Sequence, residues 1–393
     1  MIKIKNISGL YIHVPFCKAK CAYCDFYSIA LTSSSPDGLL NSQLEIDAWL
    51  DALELEAKLW RDAAGGKLKI KTLYIGGGTP SILSLSAWQR LIKIILSLCD
   101  LNNLREASVE ANPSSFLILN KDLIKFWREN FITRVSLGVQ SLNNNELKIL
   151  GRVHDASMAL KALDLIINAN FNASADLIFA LPNQDLRSWH NSLKLIINSG
   201  VRHISAYQLT LEPHTPLGKI YKDADLPDGY KFYRYAQWLL NYKNFAQYEI
   251  SNFAVKGYEC LHNILYWRQE NVLALGPAAS GYIDGLRYKN PESLASYYKI
   301  LRENLYFNNI LACAENLDLK DRAIECAVLN LRTRDGINTR EFVLKFGEEL
   351  FKSIEKILLS LPENLFIINK DKIALSAAGM RVGNAIWAEL MDL

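Results

Sequence analysis

Over the first two-thirds of the chain, short apolar runs alternate with segments in which apolar residues return every three or four positions. The runs Gly9–Val14, Thr72–Gly76, Ala107–Ala111, Arg134–Val139, Ala173–Phe179 and His203–Leu209 predict strands. The periodic segments Leu44–Trp60, Ala87–Leu98, Asp122–Glu129, Ser157–Asn170 and Trp189–Asn198 predict helices between them. Strand and helix in alternation build a parallel sheet, and six units suit an incomplete barrel whose chemistry gathers at the C-terminal strand ends. Glu212–Tyr230, rich in proline, aspartate and glycine, predicts a loop leaving that barrel. Farther on, Asp321–Leu331, Thr339–Phe346 and Glu348–Leu359 predict helices. Leu365–Asn369 and Lys372–Leu375 predict a hairpin, with a last helix after it. The expected fold is therefore α/β: a partial (β/α)6 TIM-like barrel followed by a mostly helical, winged-helix-like domain.

Composition narrows the function. Of 393 residues, half are apolar and 22% charged, which excludes disorder for most of the chain. Lysine and arginine total 44 against 41 carboxylates, a net charge of +3 that does not suggest a dedicated nucleic-acid binder. From Leu311 onward there are 11 basic and 13 acidic residues, which argues against phosphate binding by the C-terminal domain. No run approaches the ~18 apolar residues of a membrane span. The basic start, Met1–Asn6, is followed by an apolar stretch broken by His13 and Pro15, unlike a secretory signal. A cytoplasmic protein is expected.

Seven cysteines are too few, and odd in number, for a disulfide framework. Cys99, Cys260, Cys313 and Cys326 lie in apolar segments and read as small buried hydrophobes. Cys17, Cys21 and Cys24 crowd the loop after the first strand, beyond Pro15. A redox pair at Cys21 and Cys24 leaves Cys17 unexplained. Zinc is the serious rival, but it wants a fourth ligand from His13 or Asp25. Three thiolates without an obvious fourth donor fit better with an iron-sulfur cluster that keeps one iron open.

The other strand ends carry polar groups too. They are Gly76-Gly77-Gly78-Thr79-Pro80, Glu110-Ala111-Asn112-Pro113, Gly138-Val139-Gln140-Ser141, then Gly151-Arg152-Val153-His154, and Asp176 on the fifth strand. The glycine run lets backbone approach a ligand closely. Each group alone reads as a cap or turn; together they point at one barrel mouth.

Tyr11-Ile-His-Val-Pro-Phe-Cys17-Lys-Ala-Lys-Cys21-Ala-Tyr-Cys24, followed by the glycine run, resembles the radical S-adenosylmethionine (radical SAM) superfamily. Within it, the chain is similar to the branch that holds oxygen-independent coproporphyrinogen III dehydrogenase and the heme chaperones, over nearly its whole length. The resemblance implies a 4Fe-4S cluster on Cys17, Cys21 and Cys24, with S-adenosylmethionine chelating the open iron and cleaved by one electron to methionine and a 5′-deoxyadenosyl radical. It implies that Gly77, Gly78 and Thr79 flank the methionyl end and Glu110 meets the ligand's polar groups. Tyr11 and Tyr23 would border the cluster, and Gln140, Arg152 and Asp176 match positions lining a further S-adenosylmethionine pocket. It also implies an electron donor as partner.

Two features separate the chain from the dehydrogenase. Phe26 stands where that enzyme's motif has a fourth cysteine, and only ten residues precede Tyr11 where the dehydrogenase has a longer extension. One feature favours the chaperones: His262-Asn263-Ile264-Leu265-Tyr266-Trp267 matches their His-Asn-x-x-Tyr-Trp motif. Imidazole is a normal axial heme ligand, and tyrosine and tryptophan offer flat apolar surface, so His262 is a candidate heme ligand. The downstream run Leu275–Tyr282 has no histidine for a second ligand. The expectation is a radical SAM core at 1–215, a family-specific extension with the motif at 216–300, and the winged-helix-like domain at 301–393. The expected role is binding heme and delivering it to acceptor proteins. The alternative is oxidative decarboxylation of coproporphyrinogen III. Nucleic acid is not an expected partner; peripheral membrane contact is compatible with the role. The serine-rich loop Thr32–Asp37 is expected to act as a lid.

Overall fold

A computed structural model describes residues 6–31, 36–118 and 121–393. Most of the expected Thr32–Asp37 lid lies outside the described residues. Six parallel strands run in chain order across one sheet: β1 (Gly9–Val14), β2 (Thr72–Gly77), β3 (Glu106–Ala111), β4 (Arg134–Gln140), β5 (Asn172–Phe179) and β6 (His203–Gln208). Registers such as Val14 opposite Gly77 and Glu110 opposite Ser136 bring the C-terminal strand ends to one rim. A bulge between Gly138 and Gln140 breaks the ladder to β5 and leaves Gln140 at φ 64°. Bulges re-aim side chains beside functional sites.

Burial follows the sequence pattern. On the helix Pro36–Ala64, Ile46, Trp49, Leu50, Leu53, Ala57 and Trp60 are buried at three- and four-residue steps, a single apolar stripe against the sheet. That stripe also buries Glu56, which accepts hydrogen bonds from Tyr297, Tyr306, Asn290 and the Gly276 amide. Trp88 on the helix Leu85–Leu98 and Trp127 on the helix Lys121–Glu129 pack edge to face at 5.0 Å.

The sheet does not stop where the sixth unit does. Strand β7 (Val272–Leu275) adds parallel to the free side of β1, pairing Gly9 with Val272. Three further strands, through Glu315–Asn316, extend the sheet beyond it. At the other edge, Asn252–Ala254 pairs antiparallel with β6. The segment after residue 215 is thus woven into the same sheet, and it is helical at Pro216–Ile220 and from Gly229, where a loop was expected. A separate core runs from Ala323 to Leu390, built on helices and a three-stranded sheet. Its hairpin pairs Phe366–Asn369 with Lys372–Leu375, as the pattern predicts. The family of expected buried cysteines loses one member: Cys313 ends the helix Tyr306–Cys313 on the exposed side.

Candidate functional site

The rim encloses a cavity of about 490 Å³ that descends into the barrel. Its mouth is the cysteine loop. Pro15 ends β1, and the Ile29 and Leu31 amides close onto the carbonyls of Pro15 and Cys17, pinning the base of the loop. Ala22 is held on both sides, its amide donating to Leu150 and its carbonyl accepting from the Leu217 amide. Cys17, Cys21 and Cys24 all line the cavity and are all half-buried. Burial pushes the Cys24 thiol up to about 11 and raises that of Cys17, so metal uptake must drive protons off both.

Two donors already face these sulfurs. Thr79 donates to Cys17 Sγ at 3.4 Å, and Arg152 donates from one guanidinium nitrogen to Cys21 Sγ at 3.1 Å and from another to the Gly138 carbonyl at 2.6 Å. Burial works against the Arg152 charge, but Tyr23 and Cys21 outweigh it and lift its pKa. Its remaining nitrogen, Nε, is buried without a partner.

Across the cavity, Glu110 accepts from Tyr74 Oη at 2.8 Å and from the Gly77 amide at 2.9 Å. Burial pushes it up to about 7, so an arriving cation would complete its ionisation. Gly77 sits at φ +105°, and a β-carbon there would lie 2.4 Å from the His13 ring; only glycine fits. Asp176 accepts from Ser136 and Ser205, and burial raises its pKa while those hydroxyls, Arg134 and Arg152 pull the other way.

Of the residues expected at the site, the cavity wall includes Cys17, Cys21, Cys24, Tyr23, Gly77, Gly78, Thr79, Glu110, Gln140, Arg152 and Asp176. Tyr11 and His262 are not among its lining. Tyr11 stacks on Tyr74 at 6.2 Å and reaches His13 Nδ1 at 3.1 Å, a layer behind the wall. His262 lies at the opposite end of the barrel from the cysteines. Its helix, Leu261–Trp267, plugs the floor, with the Leu261 and His262 amides donating to Glu106, itself paired with Arg134. The His262 ring stacks on Tyr74 at 5.2 Å; Nδ1 meets Thr72 Oγ1 at 2.7 Å and Nε2 meets Tyr266 Oη at 3.1 Å. Burial drives its pKa down to about 3, so the imidazole is neutral. The motif reaches the cavity instead through Asn263 and through Cys260 just before it.

The sequence did not single out Tyr74, Arg134, His203 or Tyr207, all on the wall. Only Arg134 carried a signal: a charge opening an otherwise apolar strand.

The donor set fits a cluster better than zinc. Among the described residues, no three cysteine, histidine or carboxylate groups converge on a point that would hold one metal ion. His13 is buried and bonded to Tyr11 and the Tyr27 carbonyl, while Asp25 pairs with His214 at 2.6 Å. A cluster asks for something else, thiolates spread over separate irons with hydrogen-bond donors behind them.

Comparison with known proteins agrees. The model of the radical SAM superfamily matches residues 11–196. In fold, the chain is similar to coproporphyrinogen III oxidase (HemN) from Escherichia coli, described as a radical SAM enzyme, with a TM-score of 0.82 over 98% of this chain and 90% of that one, at 22% identity. A partial barrel with this cysteine loop is a radical SAM protein, the class that works with a 4Fe-4S cluster and S-adenosylmethionine. In sequence, it is 32% identical to the heme chaperone HemW of Lactococcus lactis over 99% of this chain and 98% of that protein. It is 30% identical to that of Bacillus subtilis (98% and 99%) and 31% identical to that of Haemophilus influenzae (100% and 99%). The chain belongs to the heme chaperone HemW family.

Proposed function

We propose that this protein binds heme and hands it to acceptor proteins, using a cluster held by Cys17, Cys21 and Cys24. The observation that carries this is the near full-length similarity to proteins named heme chaperones, spanning both the barrel and the C-terminal domain. Phe26, 67% exposed at the cavity mouth, stands where the dehydrogenase motif has its extra cysteine.

The chain's own residues define how the cofactors would be held. When bound, the cluster supplies one low-potential electron and S-adenosylmethionine a sulfonium that such an electron can cleave. Glu110 would take the ligand's ammonium, its carboxylate anchored by Tyr74 and the Gly77 amide. Gly77, Gly78 and Thr79 would leave room for the methionyl chain. Gln140 and Asp176, on β4 and β5, would meet the polar groups farther in. Arg152 would donate to a cluster sulfur. Tyr23 would border the cluster from within its loop, and Tyr11 would support it through His13 and Tyr74.

Heme ligation through His262 requires its Nε2 to be released by Tyr266 and the Leu261–Trp267 helix to swing from the barrel floor. The protein is proposed to act in the cytoplasm with an electron donor and a heme acceptor, the latter allowing peripheral membrane contact; among the described residues no helix is long and apolar enough to cross a membrane. The test is anaerobic reconstitution followed by heme titration and transfer to an apo-cytochrome. Binding and transfer are expected. Catalytic conversion of coproporphyrinogen III to protoporphyrinogen IX, with no heme transfer, would overturn the proposal in favour of the dehydrogenase.

A further inference from the structure

The helix Leu261–Trp267 touches three parts of the molecule at once. Asn263, and Cys260 at the helix's N-terminal end, line the cavity. His262 and Tyr266, one turn apart, face the barrel, where the His262 ring lies on Tyr74 and Tyr74 Oη in turn holds Glu110. Trp267, next in the chain, turns to the C-terminal domain. Its carbonyl accepts from Asn330 Nδ2 at 2.8 Å, and its indole lies 4.9 Å from the guanidinium carbon of Arg332.

Arg332 is shared by the two sides. Its carbonyl accepts from the Ile250 amide at 2.9 Å, just before the edge strand Asn252–Ala254 of the large sheet. Its guanidinium lies over Trp267 and also over Trp387 of the C-terminal core, 4.2 Å from that ring. Nε of Arg332 and Nε1 of both indoles are buried without a partner. The three side chains thus meet by cation–π attraction with no directed hydrogen bond among them, a contact that can slide.

The end of the helix is strained. Gln269, two residues past Trp267, takes a left-handed φ of 53°, which a side chain disfavours. The C-terminal domain holds it there. Its amide nitrogen donates to the Arg322 carbonyl at 3.3 Å and to Glu325 at 2.9 Å, and its amide oxygen accepts from Lys345 at 3.0 Å. Strain of this kind persists only where the surroundings over-determine it, and it clusters at switch regions.

At the other end of the chain of contacts, an ammonium arriving on Glu110 would share the carboxylate oxygens that now hold Tyr74 Oη and the Gly77 amide. Tyr74 carries the His262 ring stacked on it at 5.2 Å with planes 29° apart, and close-packed rings shift together. We propose that the helix Leu261–Trp267 couples the cavity to the C-terminal domain, with Tyr74 and His262 taking up a ligand's arrival and Trp267 passing it to Arg332. Trp267 and Arg332 are positioning residues; neither lines the cavity. The inference rests on the S-adenosylmethionine site proposed above, goes beyond it by giving that site a distant readout, and assigns no heme ligand.

The experiment follows hydrogen exchange by mass spectrometry in the anaerobically reconstituted full-length protein, with and without S-adenosylmethionine, at concentrations where calorimetry shows the ligand bound. The ligand is expected to slow exchange about 5-fold in the helix Leu319–Leu331 and at Arg332, as well as in β2 on the cavity wall. Trp267→Ala is expected to bind S-adenosylmethionine within about 2-fold of wild type and to keep the slowing in β2, but to lose it in Leu319–Leu331. Trp267→Phe keeps a ring beside the guanidinium and is expected to restore part of the response. Arg332→Met breaks the same contact from the other side and is expected to match Trp267→Ala, so a folding defect in either variant does not decide the matter. Unchanged exchange in Leu319–Leu331 of the wild type with ligand bound, or a full response in both Trp267→Ala and Arg332→Met, would overturn the inference and leave the ligand site standing. A wild-type protein that binds no S-adenosylmethionine would end both.

Discussion

Arg152 offers the sharpest test of the cluster assignment. A cluster on three thiolates is already anionic, and reduction adds one more negative charge. A guanidinium 3.1 Å from Cys21 Sγ therefore favours the reduced form. The added electron spreads over the cluster, so an effective separation of about 6 Å applies. At an effective dielectric of ~20 the interaction is about 3 kcal/mol. At ~59 mV per tenfold for a one-electron couple, Arg152→Gln should lower the cluster potential on the order of 100 mV. Glutamine removes the charge, whereas Arg152→Lys keeps it without the fork, so a smaller shift is expected from lysine. The assay is an anaerobic redox titration followed by paramagnetic resonance, with iron content matched to wild type. A glutamine variant within about 20 mV of wild type would refute the electrostatic role and leave Arg152 as a packing or ligand-binding residue.

Other outcomes follow from the same geometry. Glu110→Gln should weaken S-adenosylmethionine binding roughly 10- to 100-fold by calorimetry, the worth of one charge-assisted contact, with melting temperature little changed. Gly77→Ala combines a φ of +105° with a clash against His13, and should destabilise the fold by about 2–4 kcal/mol in denaturant titrations. Glu56 is fully buried, and burial pushes its pKa from 4.5 to about 7. The folded state thus holds a proton that the unfolded state releases, so stability is full below pH 4.5 and falls as pH rises toward 7, by on the order of 3 kcal/mol from this group. Glu56→Gln should flatten that part of the melting-temperature profile between pH 5 and 7; an unchanged slope would show that other groups set it.

Much of this protein is legible in its amino-acid sequence. The alternation of strand and helix reports burial on two faces, which a parallel sheet requires, and spacings such as Cys17, Cys21 and Cys24 are local enough that a loop of that length must bring them together. The polar strand ends were legible for the same reason: in a parallel sheet, every strand delivers its end to one rim. What the pattern could not supply was partnership between distant segments. An apolar run says that it is buried, not beside which strand, so Val272–Leu275 gave no sign that it pairs with β1. Arg152 meets Cys21 across 131 residues of sequence, through a bulge and a turn that no local signal encodes. His262 shows the limit most clearly. Its motif is plain in the chain, but whether its nitrogens face solvent or face Thr72 and Tyr266 depends on the docking of one short helix beneath the barrel. Residue type and spacing determined the chemistry available to this protein; the tertiary packing decided which polar groups are spent on internal hydrogen bonds, as His262 is, and which line the cavity, as Glu110 and Arg152 do, because only three-dimensional neighbours compete for those donors and lone pairs.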